Sequence, residues 1–143
     1  MLNVKTYLDK SSIHGIGLFA NQFIEKGDLI WQFTKGIDQW LDRHELEKQL
    51  KDGEIGKAEF DFVQNAAVYD EDYDAYCLVA DNVRFMNHSS ESNCGETQDT
   101  GELFEMFALR DIHPEEEITL DYNEVEEGSD DFSEDEFKNY NSK

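Results

Sequence analysis

The stretch RFMNHSSESN, residues 84–93, sets Asn87 and His88 against a run of small polar residues. Val79, Val83, Phe85 and Met86 precede Asn87, so an apolar segment turns polar there. An imidazole beside an amide and hydroxyls can act as a general base, ligate a metal, or offer hydrogen bonds to a bound molecule. Ser89 next to His88 is no sign of a triad, because triad side chains converge in space rather than in sequence. A lone histidine holds a metal poorly, and His14, His44 and His113 show no i, i+4 or paired-cysteine spacing. The GIG at 15–17 lacks the remainder of a dinucleotide-binding fingerprint. Carboxylate pairs are too abundant in this chain to mark a site.

The elements that must position these residues are short. VKTYLD (4–9) alternates as a strand does, and GIGLFAN (15–21) reads as a glycine-punctuated turn entering an apolar strand. EKGD (25–28) is a turn, followed by LIWQF (29–33), which is rich in strand formers. In LDRHELEKQLKDG, Asp42 can cap a helix with Glu45 as its capping-box partner. Leu41 and Leu46 take the staple positions and Gly53 lies just past the end, so the spacing predicts a helix over 43–51. FDFVQNAAVYDEDYDAY is ambiguous between helix and strand. CLVAD (77–81) reads as a buried strand, GELFEMFALRDI (101–112) holds the strongest later strand, and EEEITLDYN (115–123) closes the core. Ser133 and Glu136 form a second capping box with Phe132 and Phe137 at the staple positions, predicting a short helix over 134–141. The expected fold is mainly β with short helices.

The chain has 143 residues, enough for one ordinary core, of which 38% are hydrophobic. The two cysteines, Cys77 and Cys94, make neither a disulfide framework nor a closed structural zinc site, and point to free thiols in a reducing compartment. No apolar run approaches membrane-spanning length, so a soluble, cytoplasmic protein without a membrane partner is expected. Acidic side chains number 34 against 12 basic ones, which argues against direct nucleic-acid binding and favours a basic partner. Of the net charge of −22, ten units fall in residues 115–143.

Three segments in order carry a more specific signal: HGIGLFA (14–20), DNVRFMNHSSESN (81–93) and FALRDIHPEEEITLDY (107–122). Together they resemble the SET-domain protein-lysine methyltransferases, whose pattern runs G-x-G-[LIV]-[FV]-A, then R-F-x-N-H-S-C-x-P-N, then A-x-R-D-I-x-x-G-E-E-L-x-x-D-Y. The resemblance covers about residues 4–123 and keeps Arg84, Asn87, His88, Asp121 and Tyr122. It implies a β-clip-like fold of small curved sheets around a pseudo-knot, in which the Asn87 and Tyr122 segments thread past each other. By this reading residues 1–123 form the SET domain, 36–75 a variable insert that selects the substrate, and 124–143 an acidic C-terminal segment.

The activity implied is methyl transfer from S-adenosyl-L-methionine to the side-chain amine of a lysine in a basic protein or peptide. The alternative is a catalytically weak SET-like module that binds basic peptides. The resemblance assigns the cofactor to His14, Gly15, Ile16, Gly17, Arg84, Phe85, Asn87, His88 and Tyr122. Arg84 either contacts the methionine carboxylate or braces the knot. Tyr122 matches the family's central tyrosine, which aligns the methyl group with the attacking nitrogen, and Tyr76 an upstream aromatic of the lysine channel. Leu120 stands where relatives carry a Phe or Tyr that influences methyl number, which leans toward more than one methyl. The family's cysteine and proline are Ser90 and Ser92 here, and no cysteine follows Cys94, so no zinc is expected. Glu115 replaces a usual glycine, at about 0.5 to 1 kcal/mol if that turn needs a positive φ. Phe132, Phe137 and Tyr140 are expected to supply the apolar channel wall that a cysteine-rich segment supplies in zinc-carrying relatives. Both a monomer and a homodimer fit this reading; the expected location is cytoplasmic, with a secreted effector or a nuclear enzyme as the alternatives.

Overall fold

A computed structural model describes residues 1–70, 73–96 and 105–123. In chain order the strands are β1 (Thr6–Lys10), β2 (Ile16–Ala20), β3 (Leu29–Gln32), β4 (Gln39–Asp42), β5 (Val68–Asp70), β6 (Ala75–Leu78), β7 (Asn87–His88), β8 (Cys94–Gly95), β9 (Glu105–Ala108) and β10 (Glu117–Leu120). Helices α1 (Arg43–Lys51) and α2 (Lys57–Ala66) lie between β4 and β5. The described chain is therefore mainly β with short helices. It divides into two compact units, residues 1–34 with 81–123, and residues 35–80. No described helix is long and apolar enough to cross a membrane.

The first unit is organised around β10. Its first half pairs antiparallel with β2, Ile118 opposite Leu18, both fully buried. Its second half pairs parallel with β7, Thr119 opposite Asn87 and Leu120 opposite His88, and with β8 at Cys94. The ladder runs β1-β2-β10-β8-β9-β3, with β7 beside β10. The expected meeting of the Asn87 and Tyr122 segments takes the form of these parallel pairs. Leu18, Ala20, Ile24, Ile30, Trp31, Ile112 and Ile118 fill the core at 1% exposure or less.

Strand limits shift where side chains capture backbone groups. Lys5 N–H donates to the Gln22 side chain at 3.0 Å, and β1 starts at Thr6 rather than Val4. Ala80 N–H donates to Asp38 Oδ1 at 2.9 Å, and β6 ends at Leu78 instead of running to Asp81. Asp81 in turn caps a 3-10 turn (Asn82–Phe85), accepting from Val83 N–H at 3.1 Å. That turn delivers the chain from the apolar Val83 and Met86 to Asn87.

The second unit holds the antiparallel sheet β4-β6-β5 with α1 and α2. Asp42 caps α1 by accepting from Glu45 N–H at 2.8 Å, and Gly53 takes a φ of 74° just past its end. Leu46 packs with Val63 and Tyr76, and Leu41 lies against that cluster. The ambiguous segment holds the larger part of α2, all of β5 and the start of β6. Gly56 caps α2 without a side-chain bond, so the usual start signal is missing, and packing of Val63 supports the helix instead. Asp74, at the β5–β6 turn, receives Arg43 Nη2 at 2.9 Å, the Tyr69 hydroxyl at 2.6 Å and His44 Nε2 at 3.0 Å. These bonds, those from Arg43 foremost, hold the Asp74 carboxyl well below the usual carboxylate range.

The turn before β10 bears out the reading of Glu115. Glu116 N–H donates to His113 O at 3.1 Å, with Pro114 and Glu115 between them. Glu115 has a φ of 72°, the left-handed value that the third residue of a type II turn requires. Glu115→Gly is expected to raise stability by about 0.5 to 1 kcal/mol by removing this strain. A urea unfolding midpoint measures it, and a lower midpoint would contradict it.

Candidate active site

The site grows from the alternation of β7. Asn87 is buried at 9% exposure and sends its amide toward the loop that enters β2. Asn87 Nδ2 donates to His14 O at 3.0 Å, to Ile16 O at 3.3 Å and to Glu117 Oε1 at 2.8 Å. His88, the next residue, is exposed and faces Tyr122. Tyr122 N–H donates to His88 Nδ1 at 3.2 Å, so the neutral imidazole carries its proton on Nε2 and can donate outward. Asp121 Oδ1 lies 3.6 Å from the same Nδ1.

Tyr122 is tied to the 86–88 segment at both ends. Its phenolic hydroxyl donates to Met86 O at 2.6 Å, and its ring centroid lies 5.3 Å from that of His88. With the hydrogen committed to a carbonyl, the oxygen lone pairs are available to an electron-poor group. Burial pushes the phenol pKa above its ordinary value near 10, so the hydroxyl stays protonated at neutral pH. It is placed to accept and to align, not to act as a base.

The loop opposite is closed by Ser11. Ser11 N–H donates to Gly15 O at 2.9 Å, while Ser11 Oγ accepts from Ile13 N–H at 2.9 Å and His14 N–H at 3.3 Å. The two glycines here serve different needs. Gly15 has a φ of 47° with nothing within 4 Å of a would-be Cβ, so it supplies backbone conformation. Gly17 supplies space, because a Cβ there would lie 2.2 Å from Glu117 Oε1. Ile16 between them is 52% exposed.

Of the other expected site residues, Arg84 and Phe85 lie on the turn that precedes Asn87, and Leu120 stands opposite His88 in the β10–β7 pair. The Arg84 guanidinium sits 4.9 Å from the Phe85 ring centroid and is exposed. Leu120 is buried, its carbonyl accepting from Ser89 N–H at 3.1 Å. Tyr76 belongs to the second unit, packed in its core with the hydroxyl 3.5 Å from Gln64 Nε2. Phe132, Phe137 and the helix over 134–141 lie outside the described residues. Among the described residues no three His, Cys, Asp or Glu side chains gather as metal ligands. Burial pushes the Cys94 thiol up to about 12, as it does Cys77.

Two residues were not assigned from sequence. Asn93, at 1% exposure, uses its amide as a stand-in for a neighbouring strand, donating to Glu117 O at 2.8 Å and accepting from Thr119 N–H at 2.9 Å. It thereby fixes the strand that leads to Tyr122. Its place at the end of the NHSSESN run was the available signal. Glu117 left none, being one acid within a run of three.

The SET domain family matches residues 15–123. A Plasmodium falciparum protein provisionally named histone-lysine N-methyltransferase 1 is 32% identical over 124 residues, covering 84% of this chain and 2% of the relative. An Aspergillus oryzae histone-lysine N-methyltransferase, H3 lysine-4 specific, is 34% identical over 128 residues, covering 85% of this chain and 10% of the relative. The chain thus spans about a tenth or less of the length of these relatives. Chaetomium thermophilum polycomb repressive complex 2, solved in an autoinhibited conformation bound to S-adenosylmethionine, gives a TM-score of 0.57 at 21% identity. That match covers 97% of this chain and 17% of the other, and speaks for the fold. Because the matched span begins at Gly15 and ends one residue past Tyr122, covering well over half of the chain, the chain belongs to the SET domain family.

Proposed function

We propose that the chain transfers methyl groups from S-adenosylmethionine to the side-chain amine of lysine in a basic protein. One observation carries the reading: the Tyr122 hydroxyl gives its hydrogen to Met86 O at 2.6 Å and keeps its lone pairs for an electron-poor group beside His88. Both relatives are named for lysine methylation of histones, so lysine-rich histone tails are the substrates to test first.

The donor set suits the cofactor. The N–H groups of the exposed Gly15 and Ile16 and the Nε2–H of His88 offer hydrogen bonds, Phe85 and Tyr122 offer aromatic faces, and the exposed Arg84 offers a cation for a carboxylate. Asn87 holds the loop rather than the ligand with its amide nitrogen, which already serves three acceptors. S-adenosylmethionine, when bound, supplies a methyl group on a positively charged sulfur, already activated for transfer. Tyr122 orients the acceptor amine and stabilises positive charge through its oxygen. A lysine amine, with an ordinary pKa of about 10.4, must enter neutral, and Tyr122 with its raised pKa does not take that proton. The proton therefore leaves to solvent, and the rate should rise with pH as free lysine deprotonates.

The acidic balance, 34 carboxylates against 12 basic groups, steers a basic substrate inward. Calorimetric titration with S-adenosylmethionine, followed by transfer assays on a histone-tail peptide and an acidic control at rising salt, tests the reading. The expected result is cofactor binding with transfer to the basic peptide that weakens once the Debye length falls below about 10 Å. Preference for the acidic peptide at low salt would contradict the steering, and a chain that binds no cofactor would overturn the function.

A further inference from the structure

We propose that Glu117, acting with Ser11, is a positioning residue that locks the cofactor-side loop to the strand leading to Tyr122, and that only a side chain accepting on two oxygens can fill this position. The proposal rests on the methyltransferase reading for its kinetic test.

Two hydrogen bonds of this cluster, one from each side of the loop, end on the Glu117 carboxylate. Its Oε1 accepts from Asn87 Nδ2 at 2.8 Å, and its Oε2 accepts from Ser11 Oγ–H at 2.9 Å, a residue 106 positions away. Ser11 Oγ has no spare lone pair to receive a donor, because it already accepts from Ile13 N–H and His14 N–H. Asn87 Nδ2 is a donor by nature, and it also reaches His14 O and Ile16 O. The residue between Ser11 and Asn87 must therefore accept on both oxygens. A glutamine offers one acceptor and one donor, and its donor would face either the Ser11 hydroxyl or the Asn87 amide.

The same carboxylate occupies the space that Gly17 leaves open. A Cβ on Gly17 would meet Glu117 Oε1 at 2.2 Å, Glu117 Cδ at 2.8 Å and Ser11 Cβ at 3.1 Å. The loop is thus held from two sides, by Ser11 across its neck and by Asn87 at His14 and Ile16. Both holds end on one side chain of β10, five positions before Tyr122, which is bonded to His88 and Met86. Because Glu117 touches no reacting atom, its loss should act on cofactor binding, with Tyr122 remaining bonded to Met86 and His88.

The test compares wild type with Glu117→Gln, Ser11→Ala and Gly17→Ala in the full chain. It measures KM for S-adenosylmethionine, kcat at saturating cofactor, and amide exchange at Ile13 and His14. Glu117→Gln is expected to raise the cofactor KM about tenfold while kcat stays within about twofold. Exchange at Ile13 and His14 should quicken by a similar factor, because their acceptor hydroxyl loses its partner. Ser11→Ala should shift KM in the same direction but less, and Gly17→Ala should reproduce the glutamine variant by displacing the carboxylate. Since the two residues form one chain of bonds, adding Ser11→Ala to Glu117→Gln should give less than the product of the single effects. Unchanged KM and unchanged exchange in Glu117→Gln would overturn the proposal. So would a fall in kcat with KM intact, which places Glu117 in general stability or in the chemistry itself. Wild type that binds no S-adenosylmethionine would defeat the methyltransferase reading instead. The exchange rates would then judge the loop lock alone, faster exchange supporting it and equal exchange refuting it.

Discussion

Tyr122→Phe is expected to slow methyl transfer by about a hundredfold or more, while S-adenosylmethionine binding and the melting temperature stay close to wild type. Phenylalanine keeps the ring that lies 5.3 Å from His88 and keeps the backbone N–H that donates to Nδ1 at 3.2 Å. It loses the one oxygen that donates to Met86 O at 2.6 Å. A positioned hydrogen-bonding group at a transition state contributes about 2.7 to 4 kcal/mol, which sets the hundredfold scale. The ground state loses less, because Tyr122 is 48% exposed and water can take up part of the space the hydroxyl leaves. Single-turnover kinetics with saturating cofactor read the effect without product release. Equal single-turnover rates would remove Tyr122 from the mechanism.

The second large effect belongs to Asn87→Ala. The substitution leaves His14 O, Ile16 O and Glu117 Oε1 without their shared donor. An unsatisfied buried acceptor costs roughly 1 to 3 kcal/mol, and water admitted through the exposed Ile16 relieves part of it. The expected result is a loss of cofactor affinity of about 10- to 100-fold, since about 1.4 kcal/mol corresponds to each tenfold. Asn87→Asp should be worse, because a second carboxylate would face Glu117 at the distance where the amide now donates, 2.8 Å. Calorimetry on both variants measures this. Affinity equal to wild type in Asn87→Ala would show that the His14–Ile16 loop does not hold the cofactor.

What the sequence disclosed follows from the range over which each signal acts. The Asp42 cap, Leu46 and Gly53 signal α1 within a dozen residues, and the helix lies at Arg43–Lys51 as that spacing predicts. The three ordered motifs disclosed the family because they are rich in residue identity, not because of periodicity. β7 and β8 hold two residues each, too few for any alternation to show, and they exist through parallel pairing with a strand some thirty positions on. Glu117 was invisible for a similar reason. Its partners Ser11 and Gly17 lie about a hundred positions earlier, and nothing in an acidic run marks one carboxylate as packed against a glycine. α2 escaped because Gly56 gives no side-chain cap and because Phe60, Phe62 and Val63 favour strands as isolated residues. Glu115 was legible as a misfit, since a glycine position with a side chain declares its own strain.

The most direct test of lysine methyl transfer is mass spectrometry of a lysine-rich histone-tail peptide incubated with this chain and S-adenosylmethionine. The expected result is mass increments of one or more methyl groups on a lysine, lost when that lysine is replaced by arginine and strongly reduced with Tyr122→Phe. Cofactor that binds while the peptide and intact histones gain no methyl group would contradict it, and would leave the fold as a module that holds basic peptides.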